Sequence, residues 1–221
     1  MQYVRHLVWF KKYPFSVSLY GISGNYTVDA IIDGSRHETL HSGHYIYDMP
    51  IDLDAEKSID LIIRRGSREL QIFDNTFDYT FIPTYGNEMD EVIHIDVYDE
   101  EQGHYIRWID RFGYMNYYLF KSGKVDVRTS KSKETVYSDE ENEIEIPVSV
   151  YVETTVSCAA VEVYRDVLPV VDGIRNANFV EIYHNGVWES IKVKVSDTHD
   201  GGLGYFEVPI EYSYKTERQA I

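Results

Sequence analysis

"EVIHIDVYD", residues 91 to 99, decides the fold class because polar and apolar side chains alternate along it. In an extended chain Ile93, Ile95 and Val97 point to one side. His94 and Asp96 point to the other. A period of two is typical of a strand whose sheet has one buried and one solvated face. The stretch therefore predicts a half-buried β-strand.

Similar stretches recur through most of the chain. Short runs rich in Tyr, Val, Ile and Phe are separated by turn sequences such as "DGS", "HNG" and "DGG" at roughly ten-residue spacing. The 20 tyrosines, 9 phenylalanines and 3 tryptophans suit a pleated, half-buried surface. We predict an all-β protein whose antiparallel sheets form a β-sandwich or a barrel-like arrangement.

One stretch favours a helix, "SCAAVEVYRDVLPVVDGI", which begins at residue 157. Ala160, Val163, Val167 and Val171 follow one another at spacings of three and four residues. Pro169 lies inside this pattern, where it would kink or end a helix. We therefore expect at most one short helix, near residues 158–172.

The length of 221 residues and the 43% hydrophobic content allow one large domain or two small ones. We predict an N-terminal β domain at residues 1–88 and a C-terminal β domain at residues 89–221, and a single domain is the open alternative. Residues 121–146 are polar and rich in Ser, Thr and Lys before they turn acidic. This segment predicts an exposed arm or long hairpin.

The charge balance narrows the class of partner. Lys and Arg number 21 against 37 Asp and Glu, so the net charge is 21 − 37 = −16. An acidic surface repels phosphate backbones and anionic membranes, so we expect neither as a partner. Cation-bearing partners are favoured instead. The single cysteine permits no intrachain disulfide, and no apolar run reaches the 18 residues typical of a membrane span. We expect a protein made in the cytoplasm and needing no cofactor.

A candidate metal site is "RHETLHSGHY", residues 36 to 45, which contains the His37-Glu38-x-x-His41 spelling of zinc proteases, followed by His44. On a helix the two histidines would bind zinc and the glutamate would activate water. However, "DGS" lies just before the motif and "SG" follows directly after it, so the anchoring helix has no room. We predict solvated histidines in a loop or strand end and no metal site. A zinc-dependent hydrolase is the least favoured class.

The most distinctive segment is "HYIRWIDRFGYMNYYLFKSGKV", residues 104 to 125, which predicts a β-hairpin with its turn at residues 111–113. Charged and aromatic side chains lie close together in it and could form ion pairs and cation–π contacts. These candidate residues are Arg107, Trp108, Asp110, Arg111, Tyr117 and Tyr118. They could form a platform for sugars, but we favour a structural role in the sheet or in a subunit interface, where aromatic residues are common.

"RWIDRFGYMNYYLFKSG", residues 107 to 123, resembles a stretch of uncharacterised proteins of phages and prophages of gut Bacteroidales. The C-terminal part resembles the same group at Trp188, Val193, Val195, Leu203, Phe206 and Arg218-Gln219. The resemblance covers about half of the chain, from residue 104 onward.

The resemblance implies a virion structural protein of the tail, baseplate or connector, without catalysis. Such a subunit is made in the host bacterial cytoplasm and then enters the virion. We expect it to form a homo-oligomeric ring or collar with neighbouring virion proteins. In the arm, Lys121, Lys124, Arg128, Lys131 and Lys133 precede the acidic set Asp139, Glu140, Glu141, Glu143 and Glu145, so one copy could meet the next through opposite charges. A glycan-binding or adhesive β-sandwich is the alternative.

Overall fold

The structure is a computed structural model that describes residues 4–19, 26–43, 48–73, 76–83, 91–100, 102–138 and 142–218. For residues 4, 65–73, 76–83, 91, 130–138, 142–151 and 215–218 it describes the backbone alone. The strands are β1 (Val4–Phe10), β2 (Ser16–Ser18), β3 (Tyr26–Ile32), β4 (Arg36–Gly43), β5 (Asp48–Pro50), β6 (Ser58–Phe73), β7 (Thr76–Pro83), β8 (Glu91–Tyr98), β9 (His104–Ile109), β10 (Met115–Ser138), β11 (Asn142–Tyr164), β12 (Phe179–His184), β13 (Val187–Ser190), β14 (Lys192–Val195), β15 (His199–Gly202) and β16 (Tyr205–Arg218). The all-β prediction is confirmed.

The strands form two large sheets and one small one. The first large sheet has the order β1-β8-β6-β3-β4, with β7 paired to β6. The second has the order β13-β12-β9-β10-β11-β16-β14, with β15 paired to β16. The small sheet pairs β2 with β5. Nearly all these pairs are antiparallel, as the alternating pattern predicts. The exception is β1, which pairs with β8 in parallel.

The alternation in β8 is confirmed residue by residue. Ile93, Ile95 and Val97 are buried in the core, whereas His94 and Asp96 are half-buried on the outer face. Strands β3 and β6 repeat this division. One continuous hydrophobic cluster joins the buried faces of both large sheets.

The chain passes from the first large sheet to the second between β8 and β9, so β8 belongs with the N-terminal strands. The proposed division at residues 88 and 89 would separate it from β1 and β6, its neighbours in the sheet. Whether the chain has one domain or two stays a prediction.

The helix is shorter than the apolar spacing suggests. Helix α1 spans Leu168–Asp172, and a single 3-10 turn, Gly173–Asn176, follows it. Ala160 and Val163 belong to β11 instead, since a bulge at this point of β11 makes their spacing look helical. Pro169 lies in the first turn, where the missing N–H costs no hydrogen bond. Among the described residues, no helix has the length and apolar character that crossing a membrane requires.

Candidate functional site

The second large sheet is curled into a half-barrel. Its end strands β13 and β14 are adjacent in the chain and separated only by Ile191. The Ile191 N–H donates a hydrogen bond to the Val180 carbonyl oxygen at 3.1 Å, which ties this corner to β12. The curled sheet therefore has a concave face, and α1 and a groove occupy opposite parts of it.

At the end of the concave face that α1 covers, buried core side chains fill the space. Trp108 is 0% exposed, and Val171 and Ile174 are also buried there. A Cβ placed on Gly173 would lie 3.7 Å from the Trp108 indole nitrogen, so the helix end lies directly against the indole. That buried N–H has no hydrogen-bond partner among the described atoms. Trp108 is thus out of reach of any ligand in solution.

The other end of the concave face is an open groove of about 1140 Å³. His104 lines it, and its imidazole hydrogen-bonds to the Tyr212 hydroxyl at 2.9 Å and to the Ser122 hydroxyl at 2.7 Å. Burial lowers the pKa of His104, so its ring is neutral at neutral pH. Tyr214 is exposed and stacks on Tyr212 with ring centroids 6.4 Å apart. The groove therefore has an aromatic wall with a polar lining.

Arg107 lies on the opposite, outer face of the half-barrel. Its Nε donates to the Glu181 carboxylate on β12 at 2.7 Å. Its guanidinium also stacks over the Trp188 ring, 4.2 Å from the centroid. Tyr105 and Tyr117 contact the same indole at 5.7 and 6.1 Å. The ion pair and the cation–π contact are of the kind expected from sequence, but both partners come from the distant β12–β13 hairpin.

Asp110 organises the β9–β10 turn rather than an ion pair. Its carboxylate accepts hydrogen bonds from the backbone N–H groups of Phe112 and Tyr114 at 2.8 and 3.0 Å. It also accepts one from the Asn116 amide at 3.1 Å. Arg111 is exposed and lies over the Phe112 ring at 4.6 Å. Asp110 thus holds the turn of the hairpin predicted at residues 104–125.

Tyr117 and Tyr118 are adjacent in β10, but their side chains lie in different environments. The Tyr117 hydroxyl bonds to the Ser16 hydroxyl at 2.6 Å, which joins β10 to β2. Burial raises the pKa of Tyr117. Tyr118 instead packs edge-on against Phe10 with centroids 5.5 Å apart. Both rings bridge the two halves of the structure, and their role as structural or interface residues stays a prediction.

The His-Glu-x-x-His motif lies on strand β4, not on a helix. A bulge makes Leu40 the extra residue, because Thr39 stands opposite Asp29 and His41 stands opposite Val28. Directly opposite residues share a face of the sheet. His37 therefore lies on the outer face with Ile31, and His41 lies on the inner side, against the buried Tyr26 ring at 5.0 Å.

Glu38 of the motif stands opposite Ala30 and is exposed. His44 lies outside the described residues. Within the described ranges, no cluster of three His, Cys, Asp or Glu side chains could hold a metal ion.

The segment predicted as an arm, residues 121–146, falls within the longer hairpin of β10 and β11. Residues 121 to 129 are exposed along β10, including Val125 at 55% and Val127 at 61%. β9 pairs with β10 only as far as Phe120. Beyond that residue, no described strand pairs with the second edge of β10. Residues 139–141 of the acidic run lie outside the described part.

A smaller pocket of about 120 Å³ lies where the two large sheets meet. Its aromatic walls are Phe10, Tyr98, Tyr118, Tyr164 and Tyr205. They come from β1, β8, β10, β11 and β16, so no local sequence motif joins them. No local sequence pattern predicts this pocket, and the excess of tyrosine is its one signal in the composition.

Comparison with protein-family models, with curated proteins and with solved structures finds no match for this chain. Its function has therefore to be inferred from its own geometry.

Proposed function

We propose that this protein is a non-catalytic assembly subunit that contacts its neighbours through the β10–β11 hairpin. The resemblance of residues 104 onward to phage and prophage proteins supports a virion role, in the tail, baseplate or connector. The observation that carries the proposal is the long edge of β10 beyond Phe120, with which no described strand pairs. On this proposal the chain is made in the host bacterial cytoplasm and then enters the virion.

The hairpin continues past the sheet that anchors it. The last pair between β11 and β16 joins Val150 to Arg218. Beyond it, among the described residues, Ser132 to Ser138 pair only with β11, as a two-stranded ribbon of about 24 Å at 3.4 Å per residue. A two-stranded ribbon alone is marginally stable in water. A partner that covers it would supply the missing contacts.

The edge of β10 offers a specific way to bind that partner. Unpaired strand edges are templates for a further strand, and soluble proteins usually protect them. Here the edge carries two valines that are more than half exposed, Val125 and Val127. An extended segment of the neighbouring subunit would gain main-chain hydrogen bonds along this edge and apolar contacts with the valines. Such a contact is heterologous, and its repetition closes a ring when the rotation permits.

Opposite charges contribute less to this contact than the sequence suggests. Lys121 pairs with Glu100 at 2.9 Å, and Lys124 pairs with Asp126 at 3.2 Å, both within one chain. The register also places Arg128 opposite Glu153 of the same chain. Exposed ion pairs give about 0–1 kcal/mol each. The strand edge and its valines must therefore supply most of the association.

A charge placed on the edge tests the proposal. Lysine on an exposed edge blocks strand addition without touching the core. We expect the double variant Val125→Lys/Val127→Lys to fold normally but to be lost from particles assembled with the products of the neighbouring genes. Val187→Lys is the matched control, because Val187 is 54% exposed on β13, outside the hairpin.

Electron cryomicroscopy of those particles is the second readout. It should show symmetry-related copies with residues 121–138 at the subunit boundary. Particles that lack the protein, or that hold isolated copies with this hairpin in solvent, would contradict the proposal.

The groove at the mouth of the half-barrel favours a second candidate, a glycan-binding module. Its size and its exposed Tyr214, beside Glu153, Asn185 and Lys192, suit a sugar chain that stacks on an aromatic ring and bonds to polar groups. Binding on a glycan array that Tyr214→Ala abolishes and Val187→Lys preserves would favour this function. No binding to any glycan would leave assembly as the better proposal.

A further inference from the structure

The pocket between the two large sheets combines aromatic faces with carboxylates. Phe10 stacks on Tyr98 at 5.9 Å and meets Tyr118 edge-on at 5.5 Å. On the other side Tyr164 and Tyr205 lie 4.7 Å apart, and their hydroxyls are 3.1 Å from each other. Tyr98 and Tyr164 are 38% and 48% exposed, so the aromatic wall reaches solvent.

The charged side chains of the lining are Glu100, Glu162 and Lys121, so their formal charges sum to 1 − 2 = −1. Burial raises the pKa of Tyr118, and the charges of Glu100 and Glu162 add to the same effect. The pocket is therefore a region of negative potential. An anion is excluded there, and a cation is favoured.

Glu162 is held in an unusual backbone conformation. Its φ is +55°, which non-glycine residues rarely adopt, and it lies in the bulge of β11 between Ala160 and Val163. Bulges re-aim side chains and are frequent beside binding sites. Glu162 forms no ion pair with a described residue, so its charge is available to a ligand.

Lys121 already places one ammonium group at this pocket. The Lys121 Nζ lies 2.9 Å from the Glu100 carboxylate, although both side chains are more than 40% exposed. An exposed pair of this kind is weak and exchanges readily. It demonstrates that Glu100 is placed to pair with an ammonium group at this position.

We propose that this pocket binds an alkylammonium head group. Such cations are attracted to the faces of Tyr and Phe rings, and cages of aromatic residues recognise quaternary and methylated ammonium groups. The volume of about 120 Å³ suits a head group and not a sugar chain. The net charge of −16 draws cations to the surface. The head group could belong to a choline compound or to a methylated lysine side chain of another protein.

Calorimetric titration with tetramethylammonium tests the proposal directly. We expect saturable binding at one site per chain. The neutral isostere 3,3-dimethylbutanol should bind at least roughly tenfold more weakly, because it lacks the charge that cation–π attraction requires. Absence of saturable binding, or equal binding of the two compounds, would overturn the proposal.

Variants assign the binding to this pocket. Tyr164→Ala and Glu162→Gln should each weaken tetramethylammonium binding by roughly tenfold. Tyr164→Phe keeps the ring and should keep the affinity, and Tyr214→Ala lies outside the pocket and should change nothing. Since Tyr164 and Glu162 are exposed, unchanged circular dichroism is expected for all four proteins. Undiminished binding by Tyr164→Ala and Glu162→Gln would place the site elsewhere and contradict the assignment.

Two further ligands, phosphocholine and a peptide with trimethyllysine, distinguish a choline compound from a methylated lysine side chain as the natural ligand. Glu100 and Glu162 repel a phosphate group but accept a peptide side chain that enters end-on. We therefore expect the peptide to bind more tightly than phosphocholine. Tighter binding of phosphocholine would assign the pocket to choline compounds instead, and no binding of either would contradict an alkylammonium site.

Discussion

His37 and His41 lie on opposite faces of the first large sheet, although they are four residues apart on one strand. Without the bulge at Leu40, a strand would place both on the same face. The extra residue reverses the alternation between them. The two side chains therefore cannot share a metal ion, whatever the local sequence suggests.

We accordingly predict that zinc does not bind stoichiometrically through this motif. The protein and the double variant His37→Ala/His41→Ala should take up the same amount of zinc in elemental analysis after dialysis. Neither should gain thermal stability from added zinc. One tightly held zinc ion per chain that the double variant loses would show this prediction to be wrong.

Trp108→Ala should destabilise the protein by about 3–5 kcal/mol, the usual cost of removing a large buried aromatic side chain. The indole is fully buried against Phe120 and the end of α1. Trp108→Phe should cost less, because it keeps a ring and removes the indole N–H that has no partner in the described structure. Urea unfolding measures both differences. An unchanged unfolding midpoint for Trp108→Ala would contradict a structural role for this residue.

Two glycines should respond differently to alanine. At Gly103 a Cβ would lie 2.6 Å from the Phe120 carbonyl oxygen, closer than real contacts allow. Gly103→Ala should therefore lose about 1–3 kcal/mol through overpacking. At Gly173 φ is −56° and the nearest atom is 3.7 Å away. Gly173→Ala should stay within about 1 kcal/mol of the parent or be more stable. A scanning calorimetry series that finds the reverse order would refute this reading of the two turns.

His94 should make the free energy of unfolding fall as the pH rises above 6.5. Desolvation lowers its pKa, but the hydrogen bond and charge of Asp60 at 2.5 Å, with Asp96 at 3.4 Å, outweigh it and raise the pKa above 6.5. The His6 ring also faces it at 5.4 Å. The stabilisation from protonated His94 is fully present below the pKa of the unfolded state. It is lost as the pH rises through the pKa of the folded state. His94→Gln should remove this pH dependence of the unfolding free energy. An NMR titration that places the His94 pKa below 6.5 would contradict it.

Asp33 should affect the stability of the protein at acidic pH. Its carboxylate accepts hydrogen bonds from the backbone N–H groups of Glu56, Lys57 and Ser58, which lowers its pKa below 3.8. This stabilisation is present above the unfolded pKa and disappears as the pH falls through the folded one. Asp33→Asn should have the lower melting temperature at pH 7, and the difference from the parent should shrink as the pH falls below 3.8. Asp52→Asn, another exposed site, is the control. Equal melting curves of parent and Asp33→Asn at pH 7 would exclude this role.

Local sequence patterns were sufficient to predict the fold class and the buried face of β8. The alternation of Ile93, Ile95 and Val97 with His94 and Asp96 fixes which side of β8 is buried, because burial of apolar surface dominates the energetics of a strand. The hairpin turn after Asp110 was also predictable, since its charged and glycine residues act within a few positions of one another.

The pairing of distant strands could not be predicted from local sequence. The parallel pairing of β1 with β8, the bulge at Leu40 and the partners of Arg107 depend on hydrogen bonds and packing between segments far apart in the chain. The pocket of Tyr98, Tyr164 and Glu162 has the same origin. Local propensity and periodicity report what one strand needs on each face, and they carry no information on which distant strand supplies it.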